Sequence, residues 1–155
     1  EGGYPSLLKM FLGTTTGTIG ETSTAALLLG AIYLLLRRVI DWKIPVIYIA
    51  TFAVFDILYM VIAGAAAYPL LYELCGGGLM LGAFFMATDY VTSPITSKGK
   101  VIYAILLGLL TGLFRFFGES AEGVSFAIII GNLFVPLIER YTVPKAFGKE
   151  GKANG

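Results

Sequence analysis

The chain has 155 residues, 57% hydrophobic and 14% charged, with a net charge of +1 and a mean hydropathy of +0.83. A soluble domain runs nearer half apolar and a quarter charged, so this surplus of apolar surface exceeds what one water-soluble core can hide, and lipid is the expected solvent. The small charge gives nucleic-acid binding no electrostatic support, and with no histidine and one cysteine, Cys75, the chain alone excludes bis-histidine haem, a four-cysteine iron–sulfur cluster and a structural zinc site.

The first residue is Glu1, not Met, and no signal peptide precedes it, so the chain reads as a piece of a longer protein. Residues 5–12 are apolar but too few to cross a bilayer, and are expected to lie at its interface or re-enter it. The run Gly13-Thr14-Thr15-Thr16-Gly17-Thr18-Ile19-Gly20-Glu21-Thr22 follows. Its glycines and hydroxyls offer backbone N–H groups for close approach to a ligand; a solvated connecting loop explains the same composition.

A spanning helix needs about 20 mostly apolar residues. Five windows qualify: residues 23–36 (extending through Val39 to reach full length), 45–64, 70–88, 100–117 and 122–138. Thr22 and Ser23 are natural N-caps for the first, and Pro45 and Pro69 sit near helix starts, where a missing N–H costs little. Lys100 is expected to flank its helix and snorkel toward the interface. Gly76-Gly77-Gly78 interrupts the third window, either as a helix-packing face or as a break lining a site.

With alternating spans, Arg37, Arg38, Lys43, Lys98, Lys100, Arg140, Lys145, Lys149 and Lys152 fall on one side, and only Lys9 and Arg115 on the other. That bias places the basic side in the cytoplasm. The expected organisation is an external interfacial or re-entrant segment and Gly/Thr-rich loop (1–22), a five-helix transmembrane domain (23–138) and a basic cytoplasmic tail (139–155).

Ionisable groups near a membrane interior are costly and are functional candidates by default. Asp89 ends the third window beside Thr88, Thr92 and Ser93, where its bland role is to open a loop as an Asx-turn. Glu21 and Glu122 precede helices and can simply complement their dipoles. Asp56 lies inside the second window, a helical step from Tyr59; a protonated, hydrogen-bonded carboxyl is its quiet reading. The hydroxyls and carboxylate of residues 88–96 suit a transient alkali cation or the polar edge of a flavin, and spacing does not choose between them.

Three segments in order carry a family resemblance: Gly17-Thr18-Ile19-Gly20-Glu21-Thr22-Ser23, Phe84-Phe85-Met86-Ala87-Thr88-Asp89-Tyr90-Val91-Thr92-Ser93-Pro94 and Glu122-Gly123-Val124-Ser125-Phe126-Ala127-Ile128. Over residues 11–138 the chain resembles the NqrB/RnfD family, membrane subunits of the sodium-pumping NADH:quinone oxidoreductase and of the Rnf complex. Asp-Tyr-Val-Thr-Ser-Pro at 89–94 looks like the RnfD branch; the quinone-reductase branch usually reads Asp-Pro-Val-Ser-Ala there.

The resemblance implies an all-α membrane protein, with this chain the second half of an inverted-repeat, ten-helix, urea-transporter-like fold. It implies a subunit of a redox-driven ion translocase, inactive as this piece alone, that couples ferredoxin:NAD electron transfer to Na⁺ or H⁺ movement. The other Rnf membrane and flavin or iron–sulfur subunits are the implied partners, in a bacterial or archaeal cytoplasmic membrane. The family carries FMN (riboflavin being the other flavin to weigh) on a threonine of a Ser-Gly-Ala-Thr-like motif. Ser93-Pro94-Ile95-Thr96 has that spacing without the glycine and alanine, so the flavin threonine is expected upstream of Glu1, on the outer side. Gly17, Thr18, Gly20, Glu21 and Thr22 are then the cofactor-contact candidates. Asp89, Thr88, Thr92, Ser93, Glu122 and Asp56 are the ion-coupling candidates, with Na⁺ at Asp89 first among them. The competing readings are an NqrB-type subunit, a small-solute channel or transporter of shared fold, and a scaffold for neighbouring redox subunits.

Overall fold

The computed structural model describes residues 6–14, 23–64, 74–75, 78–118 and 123–144. Regular structure among them is entirely helical. Ser6 caps α1 (Leu7–Leu12), its Oγ accepting the Lys9 N–H at 3.3 Å, and Gly13 closes the last turn at φ 86°. Six residues rise only about 9 Å, so this apolar stretch does not cross.

Ser23 caps α2 (Thr24–Leu36) through the Ala26 N–H at 3.3 Å. The helix stops at Leu36 and does not continue to residue 39. Arg38 turns left-handed at φ 54°, its N–H donating to Leu35 O and the Val39 N–H to Leu34 O, both at 3.0 Å. This is a Schellman stop, ordinarily built on glycine because a side chain there costs about 1–2 kcal/mol. At 13 residues α2 spans about 20 Å, less than the roughly 30 Å hydrocarbon core.

The Asp41 carboxylate accepts the Lys43 N–H at 3.2 Å and starts α3 (Lys43–Ala63), which ends at Gly64, φ 59°. Pro45 lies in its first turn, where it removes no intrahelical bond. The third window does not form one α-helix. Gly78 breaks it at φ 71°; α4 (Leu79–Leu81) follows and passes into a π-helical turn, Gly82–Met86, closed by the Ala87 N–H on Gly82 O at 2.7 Å. Thr96 caps α5 (Ser97–Phe117) through the Gly99 N–H at 3.1 Å. Lys100 lies inside its first turn, held by Asp41 Oδ2 at 2.9 Å and not left to snorkel. The last of the described helices is α6 (Gly123–Thr142), with Pro136 in its interior.

Among the described residues α3, α5 and α6, of 21, 21 and 20 residues, are long and apolar enough to cross a membrane. Each rises about 30 Å. Among the described residues the five windows therefore yield three helices long enough to cross, one too short to cross straight, and one interrupted segment.

α3 and α5 run parallel. Lys43 Nζ donates to Ser97 Oγ at 3.0 Å at one end, and Tyr59 stacks on Phe116, centroids 4.5 Å apart, near the other. Between these contacts a Cβ on Gly108 would lie 2.6 Å from Thr51 Cβ, and one on Gly112 would collide with the Phe55 ring. Without a hydrophobic drive between helices in lipid, such small-residue contact is how they associate. α6 packs antiparallel to α5: Gly131 meets Leu107 and Tyr103, and Thr142 Oγ1 bonds Thr96 Oγ1 at 2.8 Å. The buried core, including Tyr48, Phe52, Tyr103, Leu107 and Ile128, fills the seam among these helices and the π-turn. Val54, Val61 and Ile62 of α3 and Leu133 of α6 point outward, each more than 60% exposed, as lipid-facing residues do.

Gly108→Val places two methyls where Thr51 and the Phe52 backbone already sit. Overpacking of this kind costs about 1–3 kcal/mol. Thermal unfolding in detergent is expected to show a clearly lowered midpoint for this variant; an unchanged midpoint argues against the α3–α5 seam.

Candidate functional site

The connectors 37–43 and 89–96 and the end of α6 meet at one end of the bundle. Ile95 N–H donates to Glu139 Oε1 at 3.1 Å, Thr96 bonds Thr142, and Lys100 bonds Asp41. Arg37, Arg38, Lys43, Lys98, Lys100 and Arg140 all belong to these connectors and helix ends.

Asp89 leaves the π-turn and organises the loop after it. Its Oδ1 accepts the Val91 N–H at 3.3 Å and its Oδ2 the Thr92 hydroxyl at 3.1 Å, while its backbone carbonyl accepts the Ser93 N–H at 2.9 Å. This is Asx-type chemistry, in which a carboxylate closes its own loop. The side chain is exposed. Thr88, in contrast, is buried and turns its hydroxyl back onto Phe84 O at 2.7 Å. Ser93 is buried too. Of the three residues grouped around Asp89 in the sequence, Thr92 alone gives the carboxylate a side-chain bond.

Two clefts flank this loop. One, of about 340 Å³, is lined by Tyr90, Thr92, Ser93, Asn132, Pro136 and Glu139 among others. It extends from Glu139 at the basic end to Asn132 near the middle of α6, about 10 Å along the helix axis. The other, of about 320 Å³, has Asp89 and Thr88 in its wall beside Leu34, Phe84 and Phe85. Pro136 has no N–H, so the Asn132 carbonyl loses its helical donor beside the first cleft.

Inward from that cleft lie buried polar groups. The Tyr103 hydroxyl donates to Asn132 Oδ1, joining α5 to α6, and Tyr48 and Thr111 share a hydrogen bond that joins α3 to α5. Tyr48, Tyr103, Thr111 and Asp56 are all 0% exposed. Asp56 lies two turns beyond Tyr48 on the same stripe of α3. Arg115 lies one turn beyond Thr111 on α5, its guanidinium 5.2 Å from the Phe52 ring centroid. Among the described residues no group of three or more acidic or cysteine side chains converges as a metal cage would require.

Gly17, Thr18, Gly20, Glu21, Thr22 and Glu122 lie outside the described residues. Asp56 and Asp89 are described, and they stand at different depths: Asp89 on the loop at the basic end, Asp56 inside the bundle. Tyr48, Tyr103, Thr111 and Asn132 went unremarked in the sequence. Asn132 and Pro136 had a visible signal, being an amide and a proline within one apolar span; the tyrosines read as ordinary aromatic core.

The NQR2, RnfD, RnfE family model matches residues 2–148. The chain belongs to that family. The D subunit of the Na⁺-translocating ferredoxin:NAD⁺ oxidoreductase complex of Acetobacterium woodii is 45% identical over 98% of this chain and 48% of its own length. The D subunit of the proton-translocating complex of Clostridium ljungdahlii is 45% identical over 95% of this chain and 45% of its own. The D subunit of the ion-translocating oxidoreductase complex of Stutzerimonas stutzeri is 41% identical over 97% and 42%. The chain thus spans about half the length of the curated relatives it matches. Family membership and the apolar helices together make it a multi-pass membrane protein.

At the basic end, burial alone would raise the Asp41 carboxyl. The Lys100 hydrogen bond, the Lys43 N–H and the charges of both lysines outweigh it and hold Asp41 below the ordinary value of 3.8. A carboxyl depressed on folding contributes stability above its unfolded value and loses it as pH falls through the folded one. A double-mutant cycle of Asp41→Asn and Lys100→Met is expected to give coupling of about 0.2–1 kcal/mol at neutral pH. That coupling should vanish in acid below the depressed value; coupling that persists there would exclude the ion pair as its source.

Proposed function

We propose that this chain is part of the D subunit of an ion-translocating ferredoxin:NAD⁺ oxidoreductase complex, the portion that couples electron transfer to cation movement. The observation carrying this reading is the 45% identity to two such subunits across 98% and 95% of the chain. It favours this branch over the quinone-reductase one, because the relatives described above are all D subunits by name. One is named for Na⁺ and one for protons at equal identity, so similarity leaves the ion open.

On this reading the whole protein is a ten-helix inverted repeat and the present chain its second five-helix half. The span of about half the relatives supports that division. The basic end faces the cytoplasm by the positive-inside rule, with the other Rnf subunits as partners in the bacterial or archaeal inner membrane. Asp89, Thr92 and Ser93 shape a cation entrance, and Asp56 serves the same route deeper in the bundle. Glu122 and the 17–22 segment keep their proposed ion-coupling and flavin-contact roles. When bound, FMN or another flavin supplies one-electron relay chemistry, on a threonine outside this chain. Among the described residues near that face, Thr14 and Ser23 spend their hydroxyls on helix-end caps, so no step through flavin is drawn from them.

Affinity purification of the parent protein from native membranes tests the reading. Co-purified redox subunits with ferredoxin:NAD⁺ activity that drives cation uptake are expected; solute flux with no redox partner would sink it. In that complex, Asp89→Asn should lower cations moved per NADH several-fold with flavin content unchanged. If uptake holds at the wild-type ratio, Asp89 only builds its loop. On a denaturing gel, flavin fluorescence should stay with the parent protein; fluorescence on residues 1–155 alone would place the covalent flavin in this chain.

A further inference from the structure

On α3, Tyr48, Phe52 and Asp56 follow one another at four-residue steps, and all are fully buried. On α5, Tyr103, Leu107, Thr111 and Arg115 do the same, with Arg115 half-buried. Residues four apart share a helix face, and the parallel glycine seam turns these two faces toward each other. The polar members therefore stack along the helix axes. Tyr103 to Arg115 covers about 18 Å of rise, more than half of the hydrocarbon thickness.

The lower end of this stack opens on the cleft. Asn132, which accepts the Tyr103 hydroxyl, is also a wall of the 340 Å³ cavity that reaches Glu139 and the 90–95 loop. Tyr103 on α5 and Tyr48 on α3 are both fully buried in the core shared by α3, α5 and α6, each holding one hydrogen-bonded pair. Burying four polar side chains, Tyr48, Asp56, Tyr103 and Thr111, in a bundle surrounded by lipid is expensive, and apolar residues of the same shape would pack the seam at lower cost. One hydroxyl pair pins α3 to α5. A second pair pins α5 to α6, and a carboxylate and a guanidinium further along α3 and α5 go beyond what one pin per contact requires.

We propose that Asn132, Tyr103, Tyr48 and Thr111 are the inner segment of a cation route leading from the Glu139–Ser93 cleft toward Asp56 and Arg115. This rests on the cation-translocating reading above and assigns it a path through the α3–α5–α6 seam. Each group offers a neutral oxygen, the ligand chemistry shared by a hydrated proton and by Na⁺. A proton passes along the three hydroxyls and water between the two pairs, each hydroxyl oxygen taking up one proton as it releases its own, while the Asn132 amide only holds the Tyr103 hydroxyl in place. A sodium ion exchanges water for the same oxygens and leaves them as they were.

The test uses the assembled complex in proteoliposomes, driven by reduced ferredoxin and NAD⁺, with Tyr48→Phe, which deletes a hydroxyl, and Thr111→Val, which puts a methyl in its place. Internal pH and ²²Na⁺ uptake are both read per NADH formed, so the arm that changes identifies the cation. The ratio is expected to fall by up to about tenfold, as loss of one hydrogen bond of about 1.4 kcal/mol produces. NADH formation should be kept once an ionophore collapses the gradient. Tyr103→Phe probes the other pair in the same assay and covers a variant that fails to assemble. An unchanged ratio in every assembled variant overturns the route and leaves the hydroxyls as packing. So does a fall in NADH formation that the ionophore does not relieve. Absence of cation uptake by the wild-type complex would instead overturn the translocation reading itself.

Discussion

Gly108 and Gly112 let the backbones of α3 and α5 come within side-chain distance of each other, and the other buried arrangements follow from that approach. Larger residues there would collide with Thr51 and Phe55 and push α3 away from α5, and Tyr48 would no longer meet Thr111. The hydroxyl pair and the glycine seam thus depend on each other. Glycine supplies the approach, and the hydrogen bond gives the approach a single register. α6 then closes the third side through Gly131 and the Tyr103–Asn132 bond.

At the basic end a different logic holds. The π-turn leads into Ala87, Thr88 and Asp89, and the carboxylate of Asp89 is spent first on its own loop. Local work of this kind does not compete with a role at a cation entrance, because an exposed carboxylate with one threonine partner still carries its charge to the mouth of a cleft. What the geometry changes is the grouping. Thr88 faces into its helix, and the deeper polar groups come from α3, α5 and α6 instead of from neighbours in sequence.

The long spans were legible in the sequence because an apolar run of about 20 residues has few alternatives. Their ends were less so, and each miss has a local cause. α5 starts at Ser97, three residues earlier than hydropathy marks it, because Thr96 caps it and Asp41 neutralises Lys100 in its first turn. α2 stops short because an arginine occupies a left-handed position that sequence reading assigns to glycine. The glycine run at 76–78 announced a departure from plain helix but not its form. Most opaque was the seam: Tyr48 and Thr111 stand 63 positions apart, and nothing local records the register that joins them. Asp56 was readable as a costly buried charge; its alignment with Tyr48 and Arg115 was not.

Spin-label distance measurement on the purified complex tests the parallel α3–α5 seam most directly. Labels at positions 43 and 97, and separately at 63 and 117, should both report close pairs. Labels at 43 and 117 should lie about 30 Å apart, the rise of a 21-residue helix. A short 43–117 distance together with a long 43–97 distance would mean that α3 and α5 run antiparallel, and the stacked polar seam would not exist.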